Sequence, residues 1–222
     1  SILNLTNFVR LDLADNTFGA EVGEQLAEGI KQNRSLEYLN LRDAALDDGG
    51  AQAIVEALKN SDCIAHLDLS GNDLTEDFMV DEDGAVRTVV TKPTLQRLFL
   101  DDNEFGTEGA RMLAGMLVAG SSALKTLGVC ACEVTAAGAL ALAEKVCAID
   151  SMELLLLDGN EVCERGVEKV ATLLDLAGKA LGDMEDNDDD GEDDLGDDES
   201  RSVDRDDTDV DELGAALEGA VL

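Results

Sequence analysis

Apolar residues return along this chain in one fixed spacing. The segment Phe8-Val-Arg-Leu11-Asp-Leu13-Ala-Asp-Asn16-Thr-Phe18-Gly19 sets the pattern: apolar side chains at positions one, four, six and eleven, and a small polar residue at nine. Further copies begin at Leu36, Ile64, Leu95, Leu124 and Met152, so successive periods are 28, 28, 31, 29 and 28 residues. Apolar and polar residues alternate around positions four to six, which predicts a short strand. The stretch that follows, such as Gly50-Ala51-Gln52-Ala53-Ile54-Val55-Glu56-Ala57-Leu58, has apolar residues at helical spacing and predicts a helix. One strand and one helix cannot bury their apolar faces alone, so the six units must stack. The expected architecture is α/β: a solenoid over residues 1–181, with parallel strands on a concave wall and helices on a convex wall.

The ninth position holds Asn16, Ala44, Asn72, Asn103, Cys132 and Asn160. A small polar side chain there can satisfy backbone groups of the turn leaving the strand, and only Ala44 lacks that capacity. Repeat three is three residues longer than its neighbours, and its helix region, residues 76–84, is acidic. Val89, Val90, Thr91 and Pro93 disfavour helix, so a bulged loop on the convex side or rim is expected. Ile2, Leu3 and Leu5 read as the last turn of a preceding helix, and nothing polar covers the edge of repeat one. Solenoids need capped ends, so the chain is expected to be the C-terminal part of a longer protein.

Charge changes the picture at the far end. Residues 1–182 hold 31 acidic and 14 basic residues, whereas 183–222 hold 19 acidic and 2 basic, so each part carries −17. Residues 182–222 are expected to be a disordered acidic tail, with a short helix at 210–222 from the apolar spacing of Val210, Leu213, Leu217 and Val221. Such a surface repels nucleic acid and anionic lipid and attracts basic patches on proteins. No apolar run approaches the ~20 residues that span a bilayer, and the first residues lack the basic and apolar regions of a signal peptide. The five cysteines are odd in number and set among apolar neighbours, which points to a reducing compartment rather than a disulfide framework.

Chemistry of its own is poorly represented. There is one histidine, His66, and neither a nucleophile elbow nor a phosphate-binding loop. Cys130 and Cys132 lack a second ligand pair at zinc spacing. The run Asp186-x-Asp188-x-Asp190-Gly191 has Asp197 where a calcium loop places its bidentate glutamate, and reads as diffuse counterion binding. No cofactor and no metal are expected. Positions three, five and seven of each repeat face the concave side. The first four rows there are charged and aromatic, and Tyr38, Arg42, Arg97 and Phe99 are residue types that anchor protein interfaces. With Arg10, Asp12, His66 and Asp101 beside them, and Asp15, Asp43 and Asp102 at the strand exits, they form the expected partner surface.

Repeats of this length, L-x-x-L-x-L-x-x-N/C-x-L followed by a full helix, resemble the ribonuclease-inhibitor class of leucine-rich repeats, which implies a horseshoe-shaped solenoid. The phrases Leu11-Asp-Leu13-Ala-Asp-Asn16, Leu67-Asp-Leu69-Ser-Gly-Asn72 and Leu155-Leu-Leu157-Asp-Gly-Asn160, leading into the acidic run after Leu181, look like the Ran GTPase-activating proteins, particularly their plant and algal form. The resemblance implies a crescent that binds the small GTPase Ran and speeds its GTP hydrolysis on the cytoplasmic side of the nuclear envelope. It implies a regulatory protein that orders Ran's own glutamine, helped by an asparagine of an earlier repeat, and no residue here matches that asparagine. Arg42, Arg97 and Asn103 are the first positions to test if these repeats alone stimulate hydrolysis. The alternative is a leucine-rich-repeat scaffold or inhibitor that binds a protein with a basic patch and leaves hydrolysis unchanged.

Overall fold

The computed structural model describes residues 7–80, 83–118, 122–188, 191 and 193–196. Strands β1 (Arg10–Asp12), β2 (Tyr38–Asn40), β3 (His66–Asp68), β4 (Arg97–Phe99), β5 (Thr126–Gly128), β6 (Leu154–Leu156) and β7 (Ala180–Leu181) form one parallel sheet in sequential order. Equivalent repeat positions pair throughout, so Arg10, Tyr38, His66, Arg97, Thr126 and Leu154 lie in one row across the sheet. Helices α1 (Ala20–Ile30), α2 (Asp47–Leu58), α3 (Ala85–Val90), α4 (Gly106–Met116), α5 (Ala136–Cys147) and α6 (Glu164–Leu176) form the opposite wall. The leucine-rich-repeat solenoid read from the spacing is the fold observed.

Between the walls lies a continuous apolar core, with Leu39, Leu67, Leu98, Leu127 and Leu155 of the strand centres stacked at its heart. Helix packing is close because small residues face each other: a Cβ on Gly23 of α1 would stand 3.0 Å from the Gly50 Cα of α2. None of the described helices is long and apolar enough to cross a membrane.

The ninth-position residues stitch repeat to repeat. Asn72 Oδ1 accepts from the backbone N–H groups of Ala44 and Leu46 at 3.2 Å, and its amide donates to the carbonyls of Leu41, Leu69 and Ser70 at 2.9 Å. Asn103 does the same for Asn72 and Leu74, and Asn160 for Cys132 and Val134. Cys132 keeps half of the role, its thiol donating to the carbonyls of Leu100 and Cys130 at 3.2 and 3.1 Å. Ala44 offers no side-chain acceptor to repeat one, where its backbone carbonyl accepts from the Phe18 N–H at 2.9 Å, while its own N–H donates to Asn72 Oδ1 as other ninth residues do to the next repeat.

Repeat three departs from the expected loop. Glu76–Met79 form a 3-10 turn, with Thr75 Oγ1 accepting from the Asp77 N–H, and Val89 and Val90 lie inside the short helix α3. Their poor helix propensity costs a few tenths of a kcal/mol each. Burying Val86, Val89 and Val90, which share one helical face, is worth about 1.5 kcal/mol or more per side chain, and burial wins.

Ordered structure also continues past the boundary expected after Leu181. Asn187 is buried and its Oδ1 accepts from the Asn160 N–H at 3.1 Å, extending the asparagine ladder into a seventh turn. Asp158 Oδ1 accepts from the Asp186 N–H at 3.0 Å, and the Asp188 N–H donates to the Asn160 carbonyl at 3.0 Å. Further on, Asp193 pairs with Arg165 at 2.8 Å, while Asp194 accepts from the Thr135 hydroxyl at 2.5 Å and the Ala137 N–H at 2.8 Å, capping α5 from outside. Ile2, Leu3 and Leu5, the expected helix at 210–222 and most of the acidic tail lie outside the described residues.

Candidate partner-binding surface

The side chains that the strand alternation turns toward the concave side form a connected strip rather than isolated points. Arg10 lies over the Tyr38 ring, its guanidinium carbon 3.4 Å from the ring centroid, and pairs with Asp12 at 3.0 Å. Tyr38 stacks on His66 with centroids 4.2 Å apart and planes 10° apart, the close approach expected of directly opposed cross-strand residues. Phe99 stands one row further along β4 and meets His66 at a tilt, centroids 5.4 Å apart. Its ring fits because the next strand carries Gly128, where a Cβ would stand 2.7 Å from Phe99 Cδ1. Arg97, in register with His66, is exposed at the edge of the stack. The expected residues Arg10, Tyr38, His66, Arg97 and Phe99 are thus brought together.

This arrangement makes protonation of His66 less favourable. Burial between the rings lowers its pKa first, and Arg97 and Arg10 push the same way against the opposing pull of Asp68. Its Nε2 is buried without a hydrogen-bond partner among the described residues. Asp68, outside the expected set, is therefore part of the electrostatics of the strip.

The strand-exit carboxylates have a second reason to be where they are. Asp15, Asp43 and Asp102 sit at the eighth repeat position with φ of 58°, 51° and 54°, the left-handed turn that Gly71 and Gly159 supply in other repeats. Aspartate tolerates that conformation better than most residues, so these three close turns as well as carry charge. Asp43 and Asp102 also hold Arg42, at 3.2 and 3.1 Å. The hydrogen bond to Asp43 raises the pKa of Arg42, keeping the guanidinium charged on the rim.

Asp101 differs from the other expected contacts. Its Oδ1 accepts from the Cys130 N–H at 2.8 Å, so its carboxylate faces the next repeat, and burial there raises its pKa. Burial likewise pushes the Cys130 thiol up to about 12, with Asp101 adding to it, and leaves no reactive thiolate. Asn103 is buried among backbone groups and offers nothing to a partner. Among the described residues no group of three or more His, Cys, Asp or Glu is placed to hold a metal ion.

Comparison with known proteins finds leucine-rich-repeat relatives. A family model described as Leucine Rich repeat matches residues 32–55 and 91–114. RAN GTPase-activating protein 2 of Arabidopsis thaliana is 36% identical over 157 residues, covering 70% of this chain and 27% of that protein. The ribonuclease inhibitor of Mus musculus is 30% identical over 145 residues, covering 65% of this chain and 31% of the inhibitor. NACHT, LRR and PYD domains-containing protein 13 of Homo sapiens is 30% identical over 166 residues, covering 74% of this chain and 16% of that protein. The chain thus spans less than a third of the length of each of these relatives.

Proposed function

We propose, for a chain that belongs to the leucine-rich-repeat family, that its concave strip binds a small GTPase of the Ran type as part of a GTPase-activating regulator in nucleocytoplasmic transport. The similarity to the Arabidopsis activator carries this reading. The strip supports it physically: preorganised rings with cations beside them supply contact area at little ordering cost. Arg10, Asp12, Asp15, Tyr38, Arg42, Asp43, His66, Arg97, Phe99 and Asp102 are the contact residues of this reading, and Asp101 positions the backbone beneath them. The site of action is the cytoplasm, at the nuclear envelope.

These repeats supply affinity and orientation, and the GTPase supplies the chemistry. Losing the group that orders a catalytic glutamine costs several orders of magnitude in rate, and we match none of the described asparagines to that group: Asn72, Asn103 and Asn160 are buried in the ladder, and Asn40, on the concave side, accepts from the Arg42 N–H at 3.0 Å. The test is single-turnover hydrolysis on GTP-loaded Ran, with this chain and with a form extended by upstream repeats. Binding by both and acceleration only by the extended form is expected. No acceleration by either sinks the activator reading and favours a scaffold, the alternative supported by similarity to ribonuclease inhibitors.

A further inference from the structure

The convex wall is interrupted at one place. Helices α1, α2, α4, α5 and α6 run 11 to 13 residues, whereas repeat three offers a four-residue 3-10 turn and the six-residue α3. The missing helical turns leave a hollow of about 510 Å³ between α2 and these two elements. Its floor is apolar, made by Ala53, Ala85, Val86 and Val80, and Val80 remains 44% exposed. Its rim carries the exposed carboxylates Glu56, Asp77 and Asp83.

One cation of the chain already shows what this rim accepts. The Lys59 ammonium pairs with Glu56 at 2.7 Å and donates to the Asp83 carbonyl at 3.3 Å, both residues of the rim. An aliphatic stem over an apolar floor with a cationic head at an acidic rim is how long basic side chains are held at a protein surface. A second hollow of about 390 Å³ lies on the other side of α2, shares Ala53 and Glu56, and adds Glu24, Glu28 and Lys31 along α1. Neighbouring helix axes stand about 8–10 Å apart, so a segment crossing α2 reaches both hollows. An extended chain covers that distance in about three residues at ~3.3 Å each.

We propose that this pair of hollows is a docking site for a basic, partly apolar peptide segment of a partner protein, with Lys or Arg side chains about three residues apart. Charge complementarity selects a basic occupant, and the exposed apolar floor selects the hollow over the rest of the acidic surface. The site is on the wall opposite the concave strip and stands whether or not the chain acts on a GTPase.

The experiment is fluorescence anisotropy of the full chain with a labelled extended peptide carrying lysines every third residue among leucines and alanines. Its neutral counterpart has glutamine for lysine. Val80→Glu adds negative charge to the floor, so attraction by net charge alone leaves binding equal or tighter, while docking weakens it at least about tenfold. Leu176→Glu is the control: Leu176 is 82% exposed near a hollow of about 400 Å³ between α5 and α6, and adding the same charge there is expected to leave binding unchanged. Glu56→Gln with Asp77→Asn is expected to weaken binding by a similar factor, and the glutamine peptide is expected not to bind. Undiminished binding by Val80→Glu with unchanged circular dichroism, or an equal loss in Leu176→Glu, overturns the proposal.

Discussion

Arg42 of repeat two places its guanidinium 3.1 Å from the carboxylate of Asp102, sixty residues later in repeat four, passing over repeat three to do so. The passage exists because the residue beneath it is Gly71, where a Cβ would collide with the Asp43 carboxylate that holds the same guanidinium. The rim charge and the turn glycine are one device.

Gly71→Ala is therefore expected to cost about 1–3 kcal/mol in urea denaturation, combining left-handed strain with displacement of Asp43. Arg42→Ala removes two exposed ion pairs and is expected to stay within ~1 kcal/mol of the parent, because such pairs contribute little. A loss in Arg42→Ala as large as in Gly71→Ala would mean that the ion pairs, not the steric fit, hold the rim.

The asparagine ladder is expected to be the most sensitive feature of the core. Asn72→Ala leaves the Ala44 and Leu46 N–H groups and the Leu41 carbonyl short of a buried partner, while the Leu69 and Ser70 carbonyls keep the Asn103 amide and the Asp43 N–H, and each unsatisfied group costs about 1–3 kcal/mol. A loss of at least ~3 kcal/mol is expected by thermal or urea unfolding, and a loss below ~1 kcal/mol would contradict the ladder's role.

The His66 stack predicts a pH dependence with a definite sign. Burial lowers the folded-state pKa below the unfolded value of about 6.5, so the unfolded chain takes up the proton first as pH falls. Stability is expected to decline from about pH 7 downward until the lowered folded value is passed. Asp101 works oppositely, since its raised pKa makes the folded state the better proton acceptor. His66→Phe keeps a ring in the stack and removes the titration. The difference between urea midpoints at about pH 7.5 and about pH 5.5 is expected to shift toward higher relative stability at the lower pH, and an unchanged difference would exclude His66 as its source.

The seventh turn predicts where shortening begins to hurt. Ending the chain after residue 196 keeps Asn187, Asp193 and Asp194 and is expected to leave the unfolding midpoint nearly unchanged. Ending it after 181 uncaps the Asn160 N–H and the first turn of α5, with a loss of about 2 kcal/mol or more expected from a buried donor plus a helix cap. Equal midpoints for the two forms would show that the capping contacts contribute nothing.

Fold class and the stacking of strand-plus-helix units were legible in the chain itself, because a period near 28 residues with apolar positions one, four and six leaves a single unit unable to bury its apolar face. Alternation on the strands also sorted Tyr38, His66 and Arg97 onto the concave wall, and the polar ninth position announced the ladder. Contact between those residues belonged to the tertiary structure: the Tyr38–His66 stack and the Arg42–Asp102 pair join repeats through sheet register and side-chain rotamers, which no single repeat encodes. The turn role of Asp15, Asp43 and Asp102 was hidden because aspartate serves both as a charge and as a left-handed residue. Repeat three looked like a loop because propensity is local, whereas burial of Val86, Val89 and Val90 is decided by the neighbouring helices. The seventh turn was masked by charge density: Met184 and Asn187 keep the spacing of Leu157 and Asn160, but only packing against the last strand distinguishes a capping asparagine from one more polar residue in an acidic run.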